Sequence, residues 1–260
     1  GGSIAVTTGQ AAVTANGAGL NITNSGALSS NNANNSAGIV LGSGGSGTIS
    51  STSSISLVED YTPTDTDNDG DLDGQFAIGT NRNGILLSSG LFTGNVTSSG
   101  STTIEGNNSA GILLNGSLIG DLSSTGSMAI TGDNTYGIAL TGGLANPLTG
   151  NVNASGGGAI HGANATGLLV GAPVTGNVSV NGAWTVSGYR NTSRPADVSH
   201  LDADDLLQGG SAVDVRFGVG QGVTIAGVGV EQDASENAAT ATLTAFGSAP
   251  TIHIAAGDRQ

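Results

Sequence analysis

The residues whose types and spacing could do chemistry are densest in Asp65-Thr66-Asp67-Asn68-Asp69-Gly70-Asp71-Leu72-Asp73-Gly74. Carboxylates occupy alternate places in this stretch, and a glycine stands sixth. Oxygen donors spaced this way around a glycine turn suit a hard cation, because Ca²⁺ takes roughly six to eight oxygen ligands in a flexible shell. The expectation is a bound Ca²⁺ ligated from Asp65, Asp67, Asp69, Asp71 and Asp73. A second acidic stretch, Leu201-Asp202-Ala203-Asp204-Asp205-Leu206-Leu207-Gln208, reads as a short helix with acids in its first turn and leucines turned to the protein. Paired carboxylates can also flank a glycosidic bond, but adjacent Asp204 and Asp205 read as surface acids.

The remaining chemistry-bearing residues are sparse. His161, His200 and His253 show no zinc spacing. No cysteine nucleophile and no Gly-x-Ser-x-Gly elbow occurs. Trp184 and Met128 stand at one repeated place, four residues before a recurring glycine, and read as packing residues. The acidic stretch resembles the calcium loops of EF-hands, dockerins and thrombospondin type-3 repeats. That resemblance implies ligation by Asp65, Asp67, Asp69 and Asp73, with residue 71 offering its backbone carbonyl. The sequence departs from the EF-hand at the twelfth place, where Phe76 replaces the bidentate glutamate. Glu59, Asp60 or water would have to fill that role.

These residues are set in an unusual background. The 260 residues include 46 glycines, five cationic residues and nineteen acidic ones, for a formal net charge of −14. All five cations are arginine. Such acidity argues against a nucleic-acid partner, whose phosphates need Lys and Arg, and against an anionic membrane surface. No segment approaches the roughly 20 apolar residues of a membrane helix. There is no cysteine, so no disulfide constrains the fold. The opening Gly1-Gly2-Ser3-Ile4-Ala5-Val6 lacks a signal peptide, and the text reads as a mature or excised part of something longer.

The elements that position the acids follow from an internal repeat. The phrase Asn-x-x-Gly-Ile-x-Leu runs from Asn35 to Leu41, Asn81 to Leu87, Asn108 to Leu114 and Asn134 to Leu140, with a variant from Asn164 to Val170. A second phrase is Gly-Asn-Val-like, at Gly94, Gly120, Gly150 and Gly176. A third ends on Gly106, Gly132, Gly162 and Gly188. The step from second to third glycine is 12 in all four copies, and from third to the next first glycine it is 5 in three. From first to second glycine it varies over 10, 9, 13 and 9. Two fixed junctions and one elastic one describe a solenoid coil with two tight corners and one loop corner.

Within each phrase apolar residues alternate, as in Ile112 and Leu114, which is strand-like. Three short strands per period make one coil of a parallel β-helix, and coils then stack at about 4.8 Å. The recurring asparagines would form a column at a left-handed corner and bond amide to amide. The expected fold is therefore all-β: one right-handed parallel β-helix over 1–260, its hand following the usual crossover preference. Two insertions break the rhythm, near residues 57–76 and 189–208. Val213, Val215, Val223, Ile225, Leu243, Ile252 and Ile254 extend the strands toward the end.

The coil phrases Asn-Ser-Ala-Gly-Ile-x-Leu (35–41 and 108–114), the Thr-Gly-Asn-Val repeats and Leu201 to Gly210 resemble passenger regions of Gram-negative autotransporters. The resemblance implies export to the bacterial cell surface, outer membrane or extracellular space, a β-helical stalk, and a translocating barrel that this sequence does not contain. The functional expectation is a non-enzymatic structural or adhesive module. It would engage a surface receptor, a glycan or like molecules, with no nucleic acid and no membrane insertion of its own. Two alternatives stand beside it. One is a polysaccharide lyase or hydrolase, disfavoured by the absence of Lys and the scatter of Arg. The other is a homo-assembling fibre or surface-layer subunit, since open coil ends expose strand edges.

Overall fold

A computed structural model describes residues 3–66, 68, 72–190, 198–201, 203–225 and 241–255. The chain winds into stacked coils, each contributing one strand to each of three long parallel sheets of eight, eight and seven strands. It is a parallel β-helix. One coil shows the order: Thr102–Glu105 lies on the first face, Ala110–Leu114 on the second and Val96–Ser98 or Leu122–Ser124 on the third. Every named pairing between neighbouring coils is parallel and in register, so Ile104 stacks on Ile130 and Ile130 on Ile160. All three are fully buried. A buried isoleucine contributes about 1.5–3 kcal/mol over an exposed one, and the three faces supply such a residue in nearly every coil.

The corners explain why asparagine recurs. Asn35, Asn81, Asn108, Asn134 and Asn164 all adopt φ between 51° and 57°. A β-branched residue is excluded there, whereas Asn enters this region at little cost. The column is also hydrogen-bonded. Asn81 Nδ2 donates to Asn35 Oδ1 at 2.9 Å, and Asn164 Nδ2 to Asn134 Oδ1 at 3.1 Å. A second ladder runs through the Gly-Asn-Val phrases, where sequence reading found only a landmark. The side-chain oxygens of Asn95, Asp121 and Asn151 accept the backbone N–H of Asp121, Asn151 and Asn177 in turn, at 2.8–2.9 Å.

Trp184 lies in the inward column Thr102–Met128–Gly158–Trp184, as its repeated place predicts. The glycine beneath it and Gly137 and Gly167 beside it leave room for the indole; a Cβ on Gly137 would stand 2.5 Å from the Trp184 ring.

Three expectations need correction. The corner between the second and third faces is more than a loop: it carries its own three-stranded parallel sheet, Leu91–Thr93, Ser117–Ile119 and Leu148–Thr149. The first insertion begins later than residue 57, because Leu57 is a fully buried member of the strand Ile55–Val58. It leaves after Val58 and rejoins at Gly79 and Thr80, which meet the next coil at Asn107. The described residues of the stretch 201–208 form no helix: a 3-10 turn covers Val198–His200 and turns run over 203–206, while Leu201 and Leu206 stay exposed and Asp205 is buried; Asp202 lies outside the described residues. Eight residues are too few to hold a helix without strong packing, and Asp204 is drawn into other contacts. His161 is half-buried, and burial pushes its imidazole below the ordinary histidine range.

Candidate functional site

Both insertions arise from the passage between the first and second faces, one before the corner glycine and one after it. They sit four coils apart along the axis, yet they touch. The backbone N–H of Gly74 donates to Asp204 Oδ2 at 2.7 Å. Arg190 donates from its guanidinium to the Gly74 carbonyl, lies 3.9 Å from Asp204, and places its charge 4.5 Å above the Phe76 ring. Phe76 is itself buried. A guanidinium over an aromatic face with a carboxylate beside it is a favourable, partly desolvated arrangement. The insertions therefore form one continuous clasp along a single flank of the coil stack.

The acidic loop hangs from this clasp. Its base is closed by an antiparallel bridge between Thr64 and Asp73. Asp73 Oδ2 accepts both the backbone N–H and the hydroxyl of Thr66. Asp65 Oδ1 accepts the N–H of Asn68 at 2.6 Å, and Asn68 turns the chain at φ 64°. Such a turn is what a short polar side chain does when it caps its own backbone. The loop's two outer acids, Asp65 and Asp73, are thus brought close to one another. Asp67, Asp69 and Asp71 lie outside the described residues. Among the described residues no group of three His, Cys, Asp or Glu converges on one point.

The acids suggested as distant ligands are committed elsewhere. Glu59 stands where the first insertion leaves the coil and Arg82 begins the strand Arg82–Leu87 just after it returns. Their side chains are 2% and 1% exposed and meet at 2.9 Å. Glu59 also accepts the N–H groups of Ile78 and Gly79 at 2.7 Å. Arg82 spends its other donors on the carbonyls of Ala33 and Glu105 and on Asn34 Oδ1. Arg82 occupies the place that Ser36, Ser109 and Thr135 hold in other coils. This buried pair clamps the neck of the insertion. Asp60 is held by Asn31 Nδ2 at 2.6 Å and Asn32 Nδ2 at 2.7 Å, and these two donors keep its carboxyl below the ordinary range.

A third cluster escaped sequence reading. On the outer second face Asp214 Oδ1 meets His253 Nδ1 at 2.8 Å, and Asp214 Oδ2 accepts from Arg216 Nε at 2.8 Å. That hydrogen bond raises the Arg216 guanidinium above its usual range. The signal was available: Val213-Asp214-Val215 and Ile252-His253-Ile254 are successive copies of one strand, so Asp214 and His253 must stack.

No known protein family, curated protein or solved structure matches this chain. Of Asp204 and Asp205, the pair weighed for glycosidic chemistry, Asp204 faces Gly74 and Arg190, and Asp205 is buried. The clasp offers a projecting surface of loops on a rigid support, the usual placement of recognition residues on a repetitive scaffold.

Proposed function

We propose that this chain is a non-enzymatic structural and adhesive module exposed on a bacterial surface or secreted from it, in keeping with the autotransporter resemblance. The observation that carries this reading is the clasp. Two insertions from coils far apart in sequence converge on one flank and stabilise each other through Arg190, Asp204, Gly74 and Phe76. A rod of stacked coils gives reach and stiffness, and a joined pair of loops gives a surface for a receptor or glycan.

Calcium belongs to this proposal. Asp65, Asp67, Asp69, Asp71 and Asp73 would hold a Ca²⁺ in the loop that hangs from the clasp, where neutralising their charge would tighten the exposed surface. The closed base at Thr64 and Asp73 supports this by bringing the two outer acids together. Isothermal titration should show calcium binding in the micromolar to millimolar range that Asp67→Ala with Asp69→Ala abolishes. In the same preparations, calcium should enhance retention on immobilised epithelial or bacterial surface glycans, and no reducing ends should be released from them. Silence in titration at millimolar calcium rejects the metal. Steady release of reducing ends would replace the adhesive reading with an enzymatic one.

A further inference from the structure

The outer second face of the first coils holds a groove of about 580 Å³ that the clasp does not touch. Its floor is the register column Ala11, Ala37 and Asn83. One rim is the exposed amide column Asn35, Asn81 and Asn108; the other is the half-buried aliphatic column Val40, Leu86 and Leu113. Beyond the groove the column continues through the fully buried Ala110 to Tyr136, so a large side chain takes over past its end.

Asn83 is out of keeping with this floor. Its neighbours above and below in the column are alanines, and it is itself only 6% exposed. Its Oδ1 is buried and has no hydrogen-bond donor among the described residues. A buried amide oxygen without a donor is costly, and alanine at this place would avoid the cost. Binding sites commonly carry a local stability cost of this kind.

The lining also says what the ligand is. In a chain of net charge −14, every residue lining the groove is uncharged. An ionic ligand would find no partner there. An extended peptide adding as a strand needs a free sheet edge, but this is a sheet face whose backbone groups are bonded coil to coil. What fits amides along one rim, aliphatic carbons along the other and an unanswered acceptor just beneath the floor is a neutral, hydroxyl-bearing chain with apolar ring faces. We infer that this groove is a subsite for a neutral polysaccharide, the Asn83 amide turning on binding so that its unanswered oxygen accepts from a sugar hydroxyl. The inference deepens the adhesive reading and rests on it. No aromatic platform lines the groove, so affinity per sugar is low and polymeric ligands gain by repetition.

The test is native affinity electrophoresis of the full chain in gels containing dextran, galactomannan, xylan or laminarin, with polygalacturonate as the anionic comparison. At least one neutral polymer should retard the protein and polygalacturonate should not. Asn83→Ala should cut the retardation at least tenfold while raising Tm by about 2–4 °C, the shift expected when an orphan buried acceptor is removed. A purely structural asparagine would instead lose stability on truncation. Asn83→Leu, which fills the floor, should also abolish retardation. Retardation unchanged in both variants overturns the groove, as does retardation by polygalacturonate alone. If surface retention persists in Asn83→Ala, the adhesive reading stands and only the groove fails. If no neutral polymer retards the chain and surface retention is also absent, both fall.

Discussion

Replacing Arg82 by serine lowers the unfolding free energy by about 3–5 kcal/mol, the range for breaking a buried ion pair and leaving one charge behind. The substitution is conservative for the fold, because Ser36 and Ser109 fill the same place in neighbouring coils and bond back to Ala33 and Asn107 carbonyls. The loss therefore reports the abandoned Glu59, which is 2% exposed, and the freed carbonyls of Ala33 and Glu105. Glu59→Gln should cost a comparable amount, since it strands the guanidinium. The double variant should cost less than the sum, with a coupling of about 1–3 kcal/mol, because neither charge is then left unanswered. The exposed partner of Asp214 serves as the control: Arg216 is 57% exposed, and Arg216→Ser should change stability by no more than about 1 kcal/mol. Urea denaturation followed by circular dichroism reads all four. Equal effects at positions 82 and 216 would mean the neck pair is hydrated and does not clamp the insertion.

Gly120→Ala is expected to cost on the order of 4 kcal/mol, combining steric overlap with backbone strain. Gly120 has φ 145°, and an added Cβ would stand 2.2 Å from the Gly94 carbonyl oxygen and 2.5 Å from its carbon. The obstacle is backbone of the coil beneath, so no side chain can swing away. Separating the coils locally would also break the ladder from Asn95 to the Asp121 N–H. Gly143→Ala is the comparison. Gly143 has φ 60° but nothing within 4 Å of its would-be Cβ, so only the left-handed conformation is penalised, at about 1–2 kcal/mol. A similar small cost at both positions would show that coils do not approach as closely as the stack requires.

The parts of this structure that repeat were the parts legible in the sequence. One backbone geometry recurs at Asn35, Asn81, Asn108, Asn134 and Asn164, and each time only a residue tolerant of positive φ fits, so the constraint is written into the text at a fixed offset. The same logic would have paired Asp214 with His253, had the decayed phrases near the end been aligned coil by coil. Arg82 was legible in a weaker way: a charged residue in a column of serine and threonine calls for a buried acid, and Glu59 stands at the other end of the insertion. The meeting of Arg190 and Asp204 with Gly74 and Phe76 was not legible. The insertions follow no period, so nothing in their spacing relates residue 74 to residue 204. Asn83 is the opposite case, a polar residue between coils that carry alanine at the same place. Departures from the repeat of this kind mark the neck clamp and the groove alike.

The stacking itself can be tested directly, because the chain contains no cysteine. Thr97 and Ser123 are register partners on adjacent coils, both half-buried on the outer side of the third face, and Asn153 is the next in the column. Adjacent parallel strands lie about 4.8 Å apart, within the roughly 4.4–6.8 Å that a disulfide spans between Cα atoms. Mass-spectrometric mapping after mild oxidation should find a disulfide in the Thr97→Cys, Ser123→Cys variant. It should find none in Thr97→Cys, Ser124→Cys, whose second site faces the core, or in Thr97→Cys, Asn153→Cys, which skips a coil. Cross-linking of either comparison pair in preference to positions 97 and 123 would contradict the parallel β-helix on which every site described above is built.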